Sequence, residues 1–96
     1  MYVLECSDRT FCTGSTFDVA VRFRQHQRGE GDGSTYVAMR RPVRLVYYEE
    51  HERIDDAFDR EHQVKRLLRG QKRKLIATGW GRRPEDPSDP FPWLRD

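Results

Sequence analysis

Glu61 is the first candidate for chemistry, because it lies where an apolar residue is expected. In the segment AFDREHQVKRLL, residues 57–68, positions three and four apart share one face of a helix. The apolar residues of that face are Ile54, Ala57, Phe58, Val64 and Leu68. Glu61 belongs to the same series. A buried carboxylate costs several kcal/mol unless a cation or good hydrogen bonds compensate it. Glu61 is therefore expected either to bind a cation or to pair with Arg22 or Lys65.

A second set of candidates points to phosphate. Arg22 and His26 are four residues apart, so they would be neighbours at the edge of a helix face. Aromatic hydroxyls are available at Tyr2, Tyr36, Tyr47 and Tyr48. A carboxylate can hold Mg²⁺, which fills its other positions with water and substrate phosphate. An arginine nearby would stabilise the charge that develops on phosphorus. These residue types predict a site that binds phosphate. The spacing of the residues is also compatible with the alternative that Glu61 only forms an ordinary ion pair.

The charged residues are unevenly distributed along the 96-residue chain, whose formal net charge is only +2. Residues 60–74 contain seven Lys or Arg against one Glu, whereas residues 49–59 are acidic. Fifteen of the 18 basic residues are arginine, whose planar fork suits phosphate better than an ammonium does. The basic run therefore predicts contacts with nucleic-acid phosphate. The alternative is a solvated helix face balanced by the acidic stretch before it.

Composition excludes several classes of protein. A chain of this length supports one small domain with one core. It contains no apolar run near the ~20 residues that cross a bilayer, and no secretory signal, so a cytoplasmic protein without a membrane span is predicted. Cys6 and Cys12 match neither a zinc spacing nor a CxxC motif, and the three histidines are scattered. Structural zinc is not expected, and both cysteines are predicted to be buried or half-buried thiols in a reducing compartment.

The elements that must position the candidate residues begin with a hairpin. Residues 2–6 and 11–14 are predicted strands, and residues 7–10 have the composition of a turn. If the turn centres on Arg9, Cys6 lies opposite Cys12, whereas a shift of one residue sends Cys12 to the other face. Asp18 is the predicted N-cap of a helix over residues 19–28. The predicted core face of this helix is formed by Val19, Ala20, Phe23 and Gln27.

The second half of the chain predicts one strand and two helices. Glycines in GEGDG, residues 29–33, break regular structure, and a helical turn is predicted over residues 36–39. VRLVYYEE, residues 43–50, is the clearest strand signal and predicts a central strand. A helix over residues 54–69 should stop at Gly70, and a shorter basic helix over residues 71–78 should stop at Gly79. The order β-β-α-β-α-α predicts an α+β domain with helices against a small sheet.

Residues 80–96 hold four of the five prolines and cannot form a regular element. They are predicted to be a tail that follows a domain at residues 1–79. Two alternatives are open for this tail. Either it is disordered, or Phe91, Trp93 and Leu94 dock onto the domain or a partner.

Three blocks of the sequence together resemble a known family. YVLECSDRTFCTGSTFDVAVRFRQH, GSTYVAMRRPVRLVYYEE and DDAFDREHQVKRL occur in the order and at the distances typical of the GIY-YIG nuclease superfamily. Within this superfamily, the chain resembles the small single-domain members, which are related to the nuclease module of the excision-repair incision subunit. The resemblance covers about residues 1–77 and leaves the tail unmatched. Several blocks in the right order are specific, whereas the two eponymous tripeptides alone would be weak.

The motif residues of the family can be assigned one by one to residues of this sequence. Tyr2 takes the place of the tyrosine in the first tripeptide, and CTG, residues 12–14, occupies the second. The resemblance implies that Arg22 is the catalytic arginine on the first helix and that Glu61 is the single metal-binding glutamate. His26 lies where many small members also have histidine.

The resemblance also implies a fold and an activity. It implies a three-stranded antiparallel sheet flanked by helices, with one Mg²⁺ or Mn²⁺ held by Glu61 and hydrolysis of DNA phosphodiester bonds. The implied partner is branched or otherwise structured DNA, with a link to DNA repair. Glu61 would then point into a cleft against the sheet. The residues predicted to bind nucleic acid are Arg24, Tyr36, Arg40, Lys65, Arg66, Arg69, Lys72 and Arg73.

Cys12 departs from the family pattern, which usually has tyrosine at this position. A thiol is too short to place a hydroxyl at the same point, and a thiolate is softer than Mg²⁺ prefers. Three alternatives are open. Tyr2 or His26 takes over as proton acceptor, Cys12 acts itself through a lowered pKa, or hydrolysis is lost and the chain is a nucleic-acid-binding module. The predicted catalytic set is Tyr2, Cys12, Arg22, His26 and Glu61.

Overall fold

The computed structural model describes residues 1–28 and 40–91, which form six elements. They are β1 (Tyr2–Glu5), β2 (Phe11–Gly14), α1 (Val19–Arg28), β3 (Arg44–Tyr48), α2 (Ile54–Lys65) and α3 (Arg69–Thr78). This order confirms the predicted α+β class with a three-stranded antiparallel sheet. The predictions for residues 29–39, which include Tyr36, and those for Trp93 and Leu94 lie outside the described residues.

The sheet has the strand order β2-β1-β3, so β1 is the central strand. The prediction that the third strand is central was therefore wrong. Its apolar composition has another cause, because the outer edge of β3 is covered by the segment that follows α3. Tyr48 and Arg82 exchange two backbone hydrogen bonds of 2.9 and 2.7 Å, and the Leu45 N–H donates to the Pro87 carbonyl at 3.0 Å. A strand paired on both edges needs the same composition as a central strand.

The β1–β2 hairpin turns tightly at Arg9, whose φ of 69° is in the left-handed region. Cys6 and Thr10 close the turn, since the Cys6 N–H donates to the Thr10 carbonyl at 2.9 Å. This register places Cys12 opposite Leu4 and not opposite Cys6. The two cysteines still share a face of the sheet, because the side chains of a strand alternate with a period of two. Both are free, with sulfurs 3.1 Å apart.

Two apolar clusters hold helices on the two faces of the sheet. On one face, Tyr2, Leu4 and Leu45 pack with Phe23 of α1. On the other face, the cluster contains Met1, Val3, Tyr47 and Val64 of α2, with Leu75 and Ile76 of α3 against it. Because α2 also contacts β2, it extends along the β2 side of the sheet toward the face covered by α1. Side chains from α1, α2 and the hairpin can therefore meet at that edge.

The helix boundaries follow the sequence signals in two cases and depart from them in one. Asp18 caps α1 as predicted, since its Oδ1 accepts the Val21 N–H at 3.2 Å. Gly79 follows the last residue of α3, also as predicted. The prediction that α2 continues to residue 69 was wrong, and Gly70 lies inside α3. The chain turns after Lys65 because Leu67 packs with the second apolar cluster.

The predicted apolar face of α2 is correspondingly shorter. Ala57 and Val64 are buried on it together with Glu61. Leu68 is 73% exposed, because it precedes α3 and no longer follows the periodicity of α2. Phe58 is 47% exposed. Neither Phe58 nor Leu68 is therefore a core residue, contrary to the prediction.

The described part of the tail lies along β3. Phe91 packs against the first apolar cluster, with its ring centroid 6.0 Å from that of Tyr48. Of the two alternatives for the tail, this contact agrees for Phe91 with the one in which the side chain docks onto the domain. The division of the chain at residue 79 stays a prediction. Within residues 1–28 and 40–91, no helix has both the length and the apolar composition needed to cross a membrane.

Candidate active site

A cleft of about 420 Å³ lies between the hairpin, α1 and α2. All five residues of the predicted catalytic set line it, although they come from four different elements: Tyr2, Cys12, Arg22, His26 and Glu61. The polar or aromatic side chains that also line the cleft include Ser15, Phe58, Lys65 and Lys72. The fold thus brings together a carboxylate, a guanidinium, a phenol and an imidazole that are up to 59 residues apart in the chain.

Tyr2 lines the cleft and is buried. Its hydroxyl is hydrogen-bonded to His26 Nε2 at 3.1 Å. Gly14 is the strand partner of Tyr2, and a Cβ built on Gly14 would lie 2.4 Å from the Tyr2 hydroxyl oxygen. Burial raises the pKa of Tyr2, against the effect of a hydrogen bond from Arg22. Tyr2 is therefore a protonated phenol at neutral pH, held between the second tripeptide and α1.

His26 is buried as well, with 4% of its surface exposed. Burial, together with the nearby charge of Arg22, lowers the pKa of His26 to about 4. Its imidazole is therefore neutral at neutral pH and can accept a hydrogen bond. Among the described residues, His26 Nδ1 has no hydrogen-bond partner. The sequence placed His26 at the edge of the α1 core face, whereas the structure places it inside.

Arg22 lies on the same side of α1 as His26, one turn earlier, and its guanidinium reaches the cleft. Its Nη1 donates to Gln25 Oε1 at 3.1 Å. The guanidinium of Arg22 lies close to both Tyr2 and His26, and its positive charge lowers the pKa of each. A cation held beside a phenol and a neutral imidazole is suited to binding an anionic oxygen between them.

Glu61 is the carboxylate of the cleft and is 9% exposed. Its Oε1 accepts a hydrogen bond from the Ser15 hydroxyl at 2.5 Å, and its Oε2 pairs with Lys65 Nζ at 2.5 Å. Burial raises the pKa of Glu61, but the hydrogen bonds from Lys65 and Ser15 outweigh it, so that the pKa lies below its usual value. The carboxylate is ionised at neutral pH. Of the two ion pairs expected for Glu61, the one with Lys65 is present.

The oxygen atoms around Glu61 fit a hard divalent cation. Within the described ranges, no three His, Cys, Asp or Glu side chains cluster as a protein-only metal site would require. Mg²⁺ does not require one, because it is commonly held by one or two carboxylates with water and phosphate. The Ser15 hydroxyl adds a second hard oxygen beside Glu61. In this structure the ammonium of Lys65 pairs with one of the two carboxylate oxygens of Glu61. The Lys65 side chain is 54% exposed.

Cys12 faces the cleft at the position of the missing tyrosine. Burial and the hydrogen bond with Cys6 raise the pKa of the Cys12 thiol to about 12. Cys12 is therefore a neutral thiol at neutral pH. One of the three alternatives was that Cys12 acts itself through a lowered pKa. The surroundings of Cys12 do not support it, because they raise this pKa.

The predicted nucleic-acid-binding residues fall into different environments. Lys65 and Lys72 line the cleft. Arg69 instead holds the hairpin, since its Nη1 donates to the Arg9 carbonyl at 2.6 Å and its guanidinium lies 5.2 Å from the centroid of Phe11. Two predicted residues, Arg66 and Arg73, are exposed outside the cleft wall.

The remaining predicted cations belong to other parts of the surface. Arg40 pairs with Asp8 at 2.8 Å. Arg24 is half-buried on α1. Arg60, which belongs to the same basic run, donates to the buried Glu49 at 2.9 and 3.1 Å. The basic run is therefore partly structural and partly a wall of the cleft.

Sequence reasoning missed Ser15 and Glu49. Ser15 reads as a turn residue after the second tripeptide, and no local pattern connects it with Glu61, 46 residues later. Glu49 reads as part of an exposed acidic stretch. It is in fact buried, and it also accepts a hydrogen bond from the Tyr47 hydroxyl at 2.6 Å. Through Arg60, Glu49 anchors the turn of α2 that carries Glu61.

Comparison with known proteins gives a consistent result. The model of the family described as GIY-YIG catalytic domain matches residues 1–74. A UPF0213 protein of Staphylococcus aureus strain Mu3 is 41% identical over 76 residues, which cover 79% of this chain and 90% of that protein. The UPF0213 proteins of strains Mu50 and N315 match with the same identity and coverage. No solved structure gives a significant match.

Proposed function

Because the chain belongs to the GIY-YIG catalytic domain family, we propose that it is a divalent-metal-dependent DNA endonuclease that hydrolyses phosphodiester bonds. Membership of the family implies nuclease activity and DNA binding. The observation that carries the finer proposal is the single cleft in which Tyr2, Arg22 and Glu61 meet. A preference for branched DNA, a role in DNA repair and a cytoplasmic location are parts of the same proposal.

The charges around the cleft favour a phosphodiester as substrate. Arg22, Lys65 and Lys72 contribute three cations to its wall, and Glu61 contributes one carboxylate. A cleft lined mainly by one sign of charge raises the local concentration of the opposite charge. A DNA backbone is the polyanion that this arrangement would attract.

Glu61 and Arg22 have separate roles in this proposal. Glu61, with the Ser15 hydroxyl beside it, would hold Mg²⁺ or Mn²⁺. When bound, such a cation supplies Lewis acidity at a phosphoryl oxygen. Arg22 binds the phosphate from the α1 side and stabilises the negative charge that develops on it.

Tyr2 and His26 would handle the proton of the attacking water. In this proposal Arg22 donates to the Tyr2 oxygen, and His26 has the tautomer whose Nε2 accepts a hydrogen bond from the Tyr2 hydroxyl. A water beside Tyr2 can then pass a proton to the phenol oxygen as the phenol proton moves to Nε2. Phosphate bound at Arg22 would offset part of the charge that lowers the pKa of His26. Substrate binding would therefore raise that pKa and make His26 a better base.

Removal of the carboxylate tests the proposal. We expect Glu61→Ala to lower the cleavage rate of branched DNA in Mn²⁺ by more than about 10³-fold, equivalent to about 4 kcal/mol, because the cation loses the carboxylate proposed to hold it. The measurement is a gel-based cleavage assay with purified protein. Asp59→Ala, which removes an exposed carboxylate of the same helix, should leave the rate unchanged. Cleavage that persists at the wild-type rate in Glu61→Ala would exclude Glu61 from the mechanism.

Cys12 favours a second candidate function. Without the usual tyrosine, the domain would bind nucleic acid and have lost hydrolysis. Cys12→Tyr separates the two candidates, since it restores a hydroxyl in the cleft. Cleavage by the wild type, or a gain of cleavage in Cys12→Tyr, would support a nuclease site. Inactivity of both proteins, with DNA binding intact, would support the binding module.

A further inference from the structure

We propose that Lys65 is an exchangeable internal cation that occupies the metal-binding carboxylate of Glu61 until DNA phosphate draws it away. This inference rests on the proposed function and concerns the same cleft. It makes Lys65 a positioning residue that couples metal binding to DNA binding. The observation that carries it is the 2.5 Å contact between Lys65 Nζ and Glu61 Oε2.

The two carboxylate oxygens of Glu61 are held in different ways. Oε1 accepts a hydrogen bond from the neutral Ser15 hydroxyl, which does not compete with a cation. Oε2 is held by the charged ammonium of Lys65. An ammonium and a divalent cation cannot both take Oε2, because they would repel each other at that distance. Metal binding through both oxygens of Glu61 therefore requires Lys65 to leave.

The exposure of the two partners indicates which of them moves. The Glu61 side chain is 12% exposed and is fixed between α2 and Ser15, whereas the Lys65 side chain is 54% exposed. A lysine has a flexible four-carbon stem, so its ammonium can swing toward the open side of the cleft. Ion pairs between residues four apart on a helix are weak, so the exchange requires little free energy.

The cleft offers Lys65 a new partner once DNA is present. Arg22 and Lys72 line the same cleft as Lys65, so phosphate bound in that cleft would offer the Lys65 ammonium a second anionic partner. Metal and DNA should therefore bind cooperatively, because each favours the arrangement in which Lys65 has left Glu61. In the absence of DNA, the affinity for the metal is reduced by the fraction of molecules in which Glu61 is still paired.

Mn²⁺ binding without DNA tests this exchange directly. The fraction of free Mn²⁺ can be followed by electron paramagnetic resonance during titration of the full chain. We expect Lys65→Met to bind Mn²⁺ about fivefold more tightly than the wild type, in line with the loss of one weak competing ion pair. Lys72→Met is the matched control, since it removes a cation of the cleft wall that is not on Glu61. Lys65→Arg, which keeps the charge, should bind Mn²⁺ as weakly as the wild type.

A second measurement distinguishes exchange from simple loss of charge or of folding. Lys65→Met should weaken binding of DNA in the absence of metal, so the variant changes the two affinities in opposite directions. In the wild type, saturating DNA should raise the affinity for Mn²⁺ more than it does in Lys65→Met. A variant that merely folds poorly would lose both affinities.

Failure of this inference is distinguishable from failure of the proposed function. If Glu61→Gln binds Mn²⁺ as tightly as the wild type, Glu61 is not the metal ligand and both proposals are overturned. If Glu61→Gln loses Mn²⁺ and Lys65→Met binds it no more tightly than Lys72→Met, only the exchange by Lys65 is overturned.

Discussion

At the scale of single residues, the surroundings of His26 and Cys12 decide whether these two side chains of the cleft carry a charge. His26 is enclosed by α1 and the sheet, with Arg22 one turn away, and its pKa falls to about 4. Cys12 is enclosed beside a second thiol, and its pKa rises to about 12. Both groups are therefore neutral over the physiological range, because each is taken out of water without a compensating opposite charge. The ionised groups of the cleft wall are Arg22, Glu61 and the two lysines.

The lowered pKa of His26 predicts a stability change with pH. Between its folded pKa of about 4 and its unfolded value of 6.5, the unfolded chain binds more protons than the folded one. The free energy of unfolding should therefore fall as the pH is lowered through this window, by up to about 1.4 kcal/mol per pH unit. Urea unfolding between about pH 5 and 6.5 measures this slope above the range where carboxylates titrate.

A pair of histidine variants identifies the source of that slope. His26→Gln removes the titrating group while keeping a hydrogen-bonding side chain near Tyr2, so the slope should largely disappear. His62→Gln, which changes an exposed histidine of α2, should retain the wild-type slope. An unchanged slope in His26→Gln would mean that His26 is not the buried neutral base described here.

At the scale of elements, the cleft depends on how closely β1 and β2 approach at their open end. Tyr2 and Gly14 are paired across the hairpin, and the Tyr2 ring extends over the Gly14 Cα. A side chain on Gly14 would occupy the space of the phenol. The glycine of the second tripeptide is thus required by the position of the tyrosine of the first. The same strand end leads into Ser15, whose hydroxyl reaches Glu61 on α2.

Two glycine substitutions should therefore have opposite effects. Gly14→Ala places a Cβ 2.4 Å from the Tyr2 oxygen, so we expect it to lower the free energy of unfolding by about 1–3 kcal/mol and to reduce cleavage. Gly70→Ala adds a Cβ inside α3 where no atom lies within 4 Å. It should raise the free energy of unfolding by about 0.5–1 kcal/mol, as alanine favours a helix over glycine. Urea unfolding compares the two, and equal stabilities would contradict the close approach of Tyr2.

At the scale of the whole molecule, some basic side chains pair with acidic ones and others line the cleft. Arg40 and Arg60 pair with the acidic side chains Asp8 and Glu49. Lys65 and Lys72, with Arg22, concentrate positive charge at the cleft. A molecule with a net charge of only +2 can therefore present a locally basic surface to DNA. Contacts of this kind are made to phosphate and do not depend on the base sequence. A preference for the structure of the DNA over its sequence is therefore expected.

The salt dependence of DNA binding tests this distribution of charge. Affinity for branched DNA should fall steeply between about 50 and 200 mM salt, because each phosphate contact releases counterions. Lys72→Ala should reduce the slope of log affinity against log salt by about one. Arg53→Ala, at the opposite end of α2 from Lys65, should leave the slope unchanged. Binding that is indifferent to salt would contradict phosphate contacts altogether.

The sequence by itself determined the order of the elements and the positions of the motif residues. Turn residues around Arg9, the cap at Asp18 and the apolar and aromatic residues of β3 are short-range signals, so they specify local structure without knowledge of the fold. The apolar periodicity of α2 was enough to predict that Glu61 faces inward. The resemblance to a family supplied the roles expected for Arg22 and Glu61.

Only the tertiary structure decided the partners of those residues. Glu61 meets Ser15 across 46 residues, and Tyr2 meets His26 across 24, so neither contact leaves a local pattern. The central position of β1 follows from its pairing with both β2 and β3, and the outer edge of β3 is covered by a proline-rich segment that the sequence did not identify as a partner of that strand. A long side chain such as that of Arg60 or Arg69 can either extend into solvent or bind a group of another element. Which of the two occurs depends on how distant elements are placed. Local sequence encodes the conformation of each segment, whereas burial and charge pairing depend on which segments meet.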